Sequence, residues 1–83
     1  MENEPILEMF TLYEKPRDYP NDYIVRKWEV YSGQEPKPCH IVSKFEANGR
    51  ESAIDYVNRL FANHKILLPR SESDDPIVVG TWI

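Results

Sequence analysis

The chain is short of cysteine, glycine, histidine, positive charge and long apolar runs, and each shortage excludes a class of function. A single cysteine, Cys39, rules out an internal disulfide. A lone thiol fits a reducing compartment, so the cytoplasm is the expected location. Cys39, His40 and His64 are the whole supply of nitrogen and sulfur metal ligands. Cys39 and His40 are adjacent, which points them to opposite faces of a strand, and no zinc spacing exists. Nothing ties Cys39 to His64 as a nucleophile and its base. Only three glycines are present, with no P-loop, dinucleotide or EF-hand pattern, so no cofactor is expected. The acidic start MENEPILEMF lacks the apolar core of a signal peptide. No stretch approaches the ~18 apolar residues of a membrane span, and no membrane association is expected. Ten basic residues stand against fourteen acidic ones, a net charge of −4, which disfavours a general nucleic-acid binder. Arg17, Arg26, Lys27 and Lys44 are the candidates for a local basic patch, and they are interleaved with acids.

What is present points to a small folded domain. Hydrophobic residues make up 41% of the 83 residues and aromatics 12%, too rich for a disordered chain. The length predicts one domain over residues 1–83, with residues 1–5 frayed. A chain this short has a thin core, which large aromatic side chains suit.

The most distinctive stretch is Tyr13 to Tyr31, YEKPRDYPNDYIVRKWEVY. Ile6 to Tyr13 reads as a first strand, with Phe10 and Leu12 on one face and Met9, Thr11 and Tyr13 on the other. Pro16 and Pro20 cannot donate to a ladder, so Glu14 to Asp22 is a loop stiffened by two prolines. Tyr23 to Tyr31 is a β-branched and aromatic second strand. Ile24, Arg26, Trp28 and Val30 share the face expected to meet the core, leaving Tyr23, Val25, Lys27, Glu29 and Tyr31 on the other. Cys39 to Glu46 is a third strand, with Ile41, Ser43 and Phe45 on one face. Asn48 is expected to cap a helix, with Glu51 completing a capping box. Ala53, Ile54, Val57, Leu60 and Phe61 then form one apolar stripe at helical period, and Asn63 ends the helix. Ile66 to Leu68 is a short apolar segment at the sheet edge, Pro69 to Pro76 an exposed acidic loop, and Ile77 to Ile83 the last strand.

The fold class expected is α+β: an antiparallel sheet of about four strands, in the order β-β-β-α-β, with one amphipathic helix packed on one face. The sequence does not place the last strand; a position beside the first is the one expected, because it gives a four-stranded sheet with the helix as a lid. The last strand turns either Ile77, Val79 and Ile83 or Val78 and Trp82 away from the helix.

No constellation carries catalysis, so the surface becomes the candidate. Tyr13, Arg17, Tyr19, Tyr23, Val25 and Tyr31 are the expected partner-binding residues, on the loop and the face turned away from the helix. Asp18, Arg26 and Trp28 are the expected anchors: the Arg26 stem lies on the core with its guanidinium at the rim, or the guanidinium pairs with Asp18, Asp22 or a helix carboxylate and pins the loop. The partner is expected to be a protein or a second copy of the chain. A nucleic-acid accessory role is the alternative, through stacking on the aromatics, and a small enzyme comes third.

Tyr13, Pro16, Asp18, Tyr19, Pro20, Tyr23, Val25, Arg26 and Trp28 together resemble a motif of small uncharacterised bacteriophage and bacterial proteins. That family is also similar in its acidic loop, Asp74-Asp75-Pro76 here, and in a terminal strand containing a tryptophan, Trp82. The likeness spans about half the chain and leaves the helix unmatched. It implies a phage or prophage context and brings no catalytic residues with it.

Overall fold

The computed structural model describes residues 4–62 and 64–83. Residues 1–3, expected to fray, and Asn63, expected to end the helix, lie outside the described residues. Three strands, β1 (Leu7–Glu14), β2 (Tyr23–Val30) and β3 (Lys37–Phe45), precede one helix, α1 (Arg50–Phe61). Two more strands follow, β4 (Leu67–Pro69) and β5 (Val78–Trp82). All pairings are antiparallel, in the spatial order β3-β2-β1-β5-β4. The last strand lies beside the first, as expected. The sheet has five strands rather than four, because Leu67–Pro69 pairs with β5 instead of merely tucking under it. Three residues ending in proline are too few to show an alternating pattern, so the sequence hid that strand.

Cross-strand partners share a face, and the register assigns the faces. Leu12 lies opposite Val25 and Gly80, Glu14 opposite Tyr23, and Phe10 opposite Trp82 and Lys27. Leu12, Tyr23, Val25, Val79 and Trp82 are buried with Ala53 and Val57 of α1, and Phe10, Phe45 and Phe61 pack around them. Tyr23 and Val25 therefore point into the core, and Ile24, Arg26 and Trp28 point away from the helix. This inverts the expected faces of β2. The cause is the helix length. Twelve residues make about 18 Å of helix, whereas eight residues of strand run about 27 Å. The helix packs over the half of the sheet that runs from Tyr23 to the level of Phe10, where Phe61 meets it. Lys27 and Glu29 share this face but join Glu8 in a polar cluster outside the core, so their polarity does not mark the face as solvent-facing.

The stripe on α1 is also narrower than its periodicity implied. Ala53 and Val57 are fully buried, Ile54 and Phe61 partly so, and Leu60 on the flank is 47% exposed. Small residues at the centre let the helix approach the sheet closely. Two aromatic sets close its sides. Phe45 sits between Tyr56 and Tyr23, with ring centroids 4.1 and 5.8 Å away. Phe61 sits between Phe10 and Trp82, at 4.9 and 6.2 Å. The N-cap is Gly49 at φ 104, a conformation open to glycine, and no side chain caps the helix. The Asn48–Glu51 capping box is thus not formed, and the carbonyl of Gly49 accepts the first bond, from Ala53 N–H at 3.1 Å.

β3 carries two register shifts against β2, between Val25 and Arg26 and between Arg26 and Trp28. Ser43 and Phe45 stay on the helix face, while Ile41 pairs with Arg26 on the opposite one. A bulge between Leu12 and Tyr13 against β5 admits Val79 to the core beside Gly80. A Cβ on Gly80 would come within 2.8 Å of Leu67 Cδ1, so the Leu67 side chain lies over residue 80 where a larger residue would displace it.

Candidate functional site: the helix-free face of the sheet

The sheet's second face carries Leu7, Met9, Thr11 and Tyr13 of β1 opposite Val30, Trp28, Arg26 and Ile24 of β2. Val78 and Thr81 of β5 continue it, and Leu68, 45% exposed, ends it. No helix lies on this side. An uncovered face of an antiparallel sheet is ordinarily polar. This one is mainly apolar and aromatic.

The proline loop covers one end of it. Lys15 N–H donates to the Asp22 carbonyl at 2.9 Å and closes the loop. Two turns follow inside it, Tyr19 N–H to Pro16 O at 2.9 Å and Asp22 N–H to Tyr19 O at 3.2 Å. Pro16 is buried, Arg17 and Asp18 are exposed, and Tyr19 is half-buried. The loop shields Ile24, which is 1% exposed although it faces away from the helix. Lys44, opposite Ile24 on β3, places its ammonium 5.3 Å from the centroid of the Tyr19 ring.

Two hollows of about 280 Å³ each meet at Tyr13. In the first, Pro16, Arg17, Asp18 and Tyr19 of the loop face Ile24, Arg26 and Ile77. In the second, Met9, Thr11, Trp28, Val78 and Thr81 form the floor, with Pro36 and Asp74 reaching over from two loops. Thr11 and Thr81 bond to each other across the floor at 3.4 Å. Two donors on this face have no partner among the described residues. The buried indole N–H of Trp28 has no acceptor. Arg26, half-buried, makes none of the side-chain hydrogen bonds or ion pairs formed among the described residues. It is therefore not paired with Asp18 or Asp22, and the expected anchoring of the loop through Arg26 is corrected.

The loop is anchored through Glu14 and Arg50, which sequence reasoning did not single out. Arg50 Nε donates to Glu14 Oε1 at 2.7 Å, Arg50 Nη2 donates to Pro76 O at 2.6 Å, and Tyr23 OH donates to Glu14 Oε2 at 3.2 Å. The Arg50 hydrogen bond holds the Glu14 carboxyl below the usual carboxylate range. Burial, then the bond to Glu14, pushes the Tyr23 hydroxyl up. Residues 36 apart in sequence form this clamp, and no local spacing announces it.

The structure thus brings Tyr13, Arg17, Asp18, Tyr19, Arg26 and Trp28 together on one face. It removes Tyr23 and Val25 from any surface, at 1% and 0% exposure. Tyr31 stands apart, its hydroxyl donating to Glu29 Oε1 at 2.8 Å and its ring 5.3 Å from the Lys37 ammonium. Lys27 bridges Glu8 and Glu29 at 3.1 and 3.5 Å in that same polar cluster. Burial, then the Glu29 carboxylate, pushes the Cys39 thiol up, which makes it a poor nucleophile. The acidic loop is exposed but hydrogen-bonded, with Asp74 Oδ2 accepting Ser71 N–H at 2.9 Å and Arg70 donating to Asp74 O at 2.9 Å. Among the described residues no group of three His, Cys, Asp or Glu side chains converges to hold a metal ion. No described helix is long and apolar enough to cross a membrane. No family model, curated protein or solved structure matches the chain.

Proposed function

We propose that the protein is a non-catalytic binding module that engages a protein partner through the helix-free face, with the proline loop as one wall. The observation that carries this reading is an apolar and aromatic sheet face on which no described helix packs, holding one buried indole N–H without an acceptor and one arginine without a side-chain partner among the described residues. Tyrosine, tryptophan, methionine and arginine are the residues enriched in interfaces. The loop is preorganised by Pro16 and Pro20, which lowers the entropy lost on binding. Hollows of about 280 Å³ fall at the small end of ligand pockets and suit single side chains. The motif shared with small phage proteins supports a phage or mobile-element origin, and the lone Cys39 supports a cytoplasmic setting.

A second reading has an observation of its own. Arg17, Arg26 and Lys44 gather on the same face as Tyr13, Tyr19 and Trp28, a basic and aromatic set of the kind that stacks on single-stranded nucleic acid. The net charge of −4 and the carboxylates of Asp18 and Asp74 at the rims weigh against it.

Affinity capture from cells that carry the gene, with wild type and Tyr19→Ala, Arg26→Ala side by side, tests the main reading. The expected result is a protein held by wild type and lost by the double variant, whose melting temperature stays within a few degrees. A protein retained equally by both would move the function off this face.

A further inference from the structure

The uncovered face has a definite chemistry, which names its occupant; this step rests on the reading just given. Arg26 lies at the centre of the face, flanked by Thr11 on β1 and Ile41 on β3. Arg26 is half-buried as a residue, its guanidinium nitrogens keep access to solvent, and it makes none of the hydrogen bonds or ion pairs formed among the described residues. A guanidinium in that position gains most from a carboxylate, which it can hold with two parallel bonds. Trp28 is two residues along the same strand and on the same face, about 7 Å away. It walls an apolar hollow with Met9 and Val78. An extended chain repeats its side chains at that same spacing.

We propose that the occupant is an extended peptide segment in which an Asp or Glu stands two residues from an aromatic or aliphatic side chain. The carboxylate meets Arg26, and the apolar side chain enters the hollow beside Trp28. A second copy of the chain whose two-fold axis passes through the centre of the face fits poorly, because that contact would set Arg26 against its own counterpart. A nucleic-acid strand fits poorly as well. Its successive phosphates would pass Asp18 and Asp74, whereas one carboxylate meets only the central cation.

The probe is a displayed library of random dodecapeptides, panned on the full chain and counter-selected on Arg26→Glu. Arg26→Gln is carried alongside with a thermal melt, so that a folding defect in the charge reversal is recognised. Enriched peptides should carry the acid and the apolar residue two apart. Exchanging the acid for its amide, or Arg26 for Gln, should each weaken binding about tenfold or more. The two exchanges together should weaken it little further, because they remove the same contact. Peptides that survive the amide exchange but are lost on Tyr13→Ala would overturn the carboxylate and leave the face as a binding site. Peptides that survive Arg26→Gln and Tyr13→Ala alike would overturn both. A library that enriches nothing would remove the peptide occupant. So would an Arg26-dependent dimer in sedimentation, or Arg26-dependent binding of single-stranded oligothymidylate.

Discussion

Trp82 and Trp28 stand on opposite faces of one sheet and differ in every respect that matters. Trp82 is fully buried under α1, and its indole N–H donates to Asn58 Oδ1 at 2.8 Å. Trp28 is partly exposed on the helix-free face, and its indole N–H has no acceptor. One face is packed and hydrogen-bonded, and folding is its purpose. The other is apolar yet open, with donors in waiting. A small domain that needed all its apolar surface for stability would have covered both faces. The difference separates the residues that hold the fold from those free to recognise something else.

The comparison breaks most visibly at Trp82. Trp82→Ala should cost about 3–5 kcal/mol, enough to unfold much of a domain of this size, as read by denaturant unfolding. A loss no greater than that from Trp28→Ala would erase the distinction between the faces.

The Glu14–Arg50 clamp gives a smaller effect with a pH signature. The folded-state pKa of Glu14 is depressed, so its contribution is present above the unfolded value of 4.5. It is lost as pH falls through the lower folded value. Both side chains are partly exposed, 31% and 40%, so the contribution is at most about 1 kcal/mol. Glu14→Gln should lower stability at neutral pH, and the gap from wild type should close in acid. A gap independent of pH would mean that the clamp does not act through charge.

Leu60 and Trp28 mark the low end. Leu60→Ala should cost only about 0.5 kcal/mol, because half the side chain is already in water. A cost of several kcal/mol would show the helix stripe to be as wide as its sequence suggested. Trp28→Phe should leave stability unchanged or slightly raised, since it removes a buried donor that has no acceptor.

The sequence announced some of this and concealed the rest for identifiable reasons. The order β-β-β-α-β of the long elements and the single helix were legible from periodicity and the need to bury one helical stripe, whereas the place of the last strand beside the first was left open by the sequence. The faces of β2 were not. Ile24, Trp28 and Val30 look more core-like than Lys27 and Glu29, and alternation alone does not say where along a strand the helix stops. β4 was hidden by its shortness, and Leu60 is exposed because the helix meets the core through Ala53 and Val57 and leaves Leu60 on its flank. Of the expected site, Tyr13, Arg17, Tyr19 and Arg26 share a face because a proline loop folds back over the strand that follows it. Met9, Pro36, Asp74 and Thr81 come from four separate segments, and only the tertiary fold brings them to Trp28.

The two indole N–H resonances test the central claim most directly. They are distinct signals in a nitrogen–proton correlation spectrum and are assigned by Trp28→Phe. On titration with the peptide selected on the folded chain, the Trp28 indole signal should shift progressively while that of Trp82 stays in place. A shift confined to Trp82, with Trp28 unmoved, would contradict the assignment of recognition to the helix-free face.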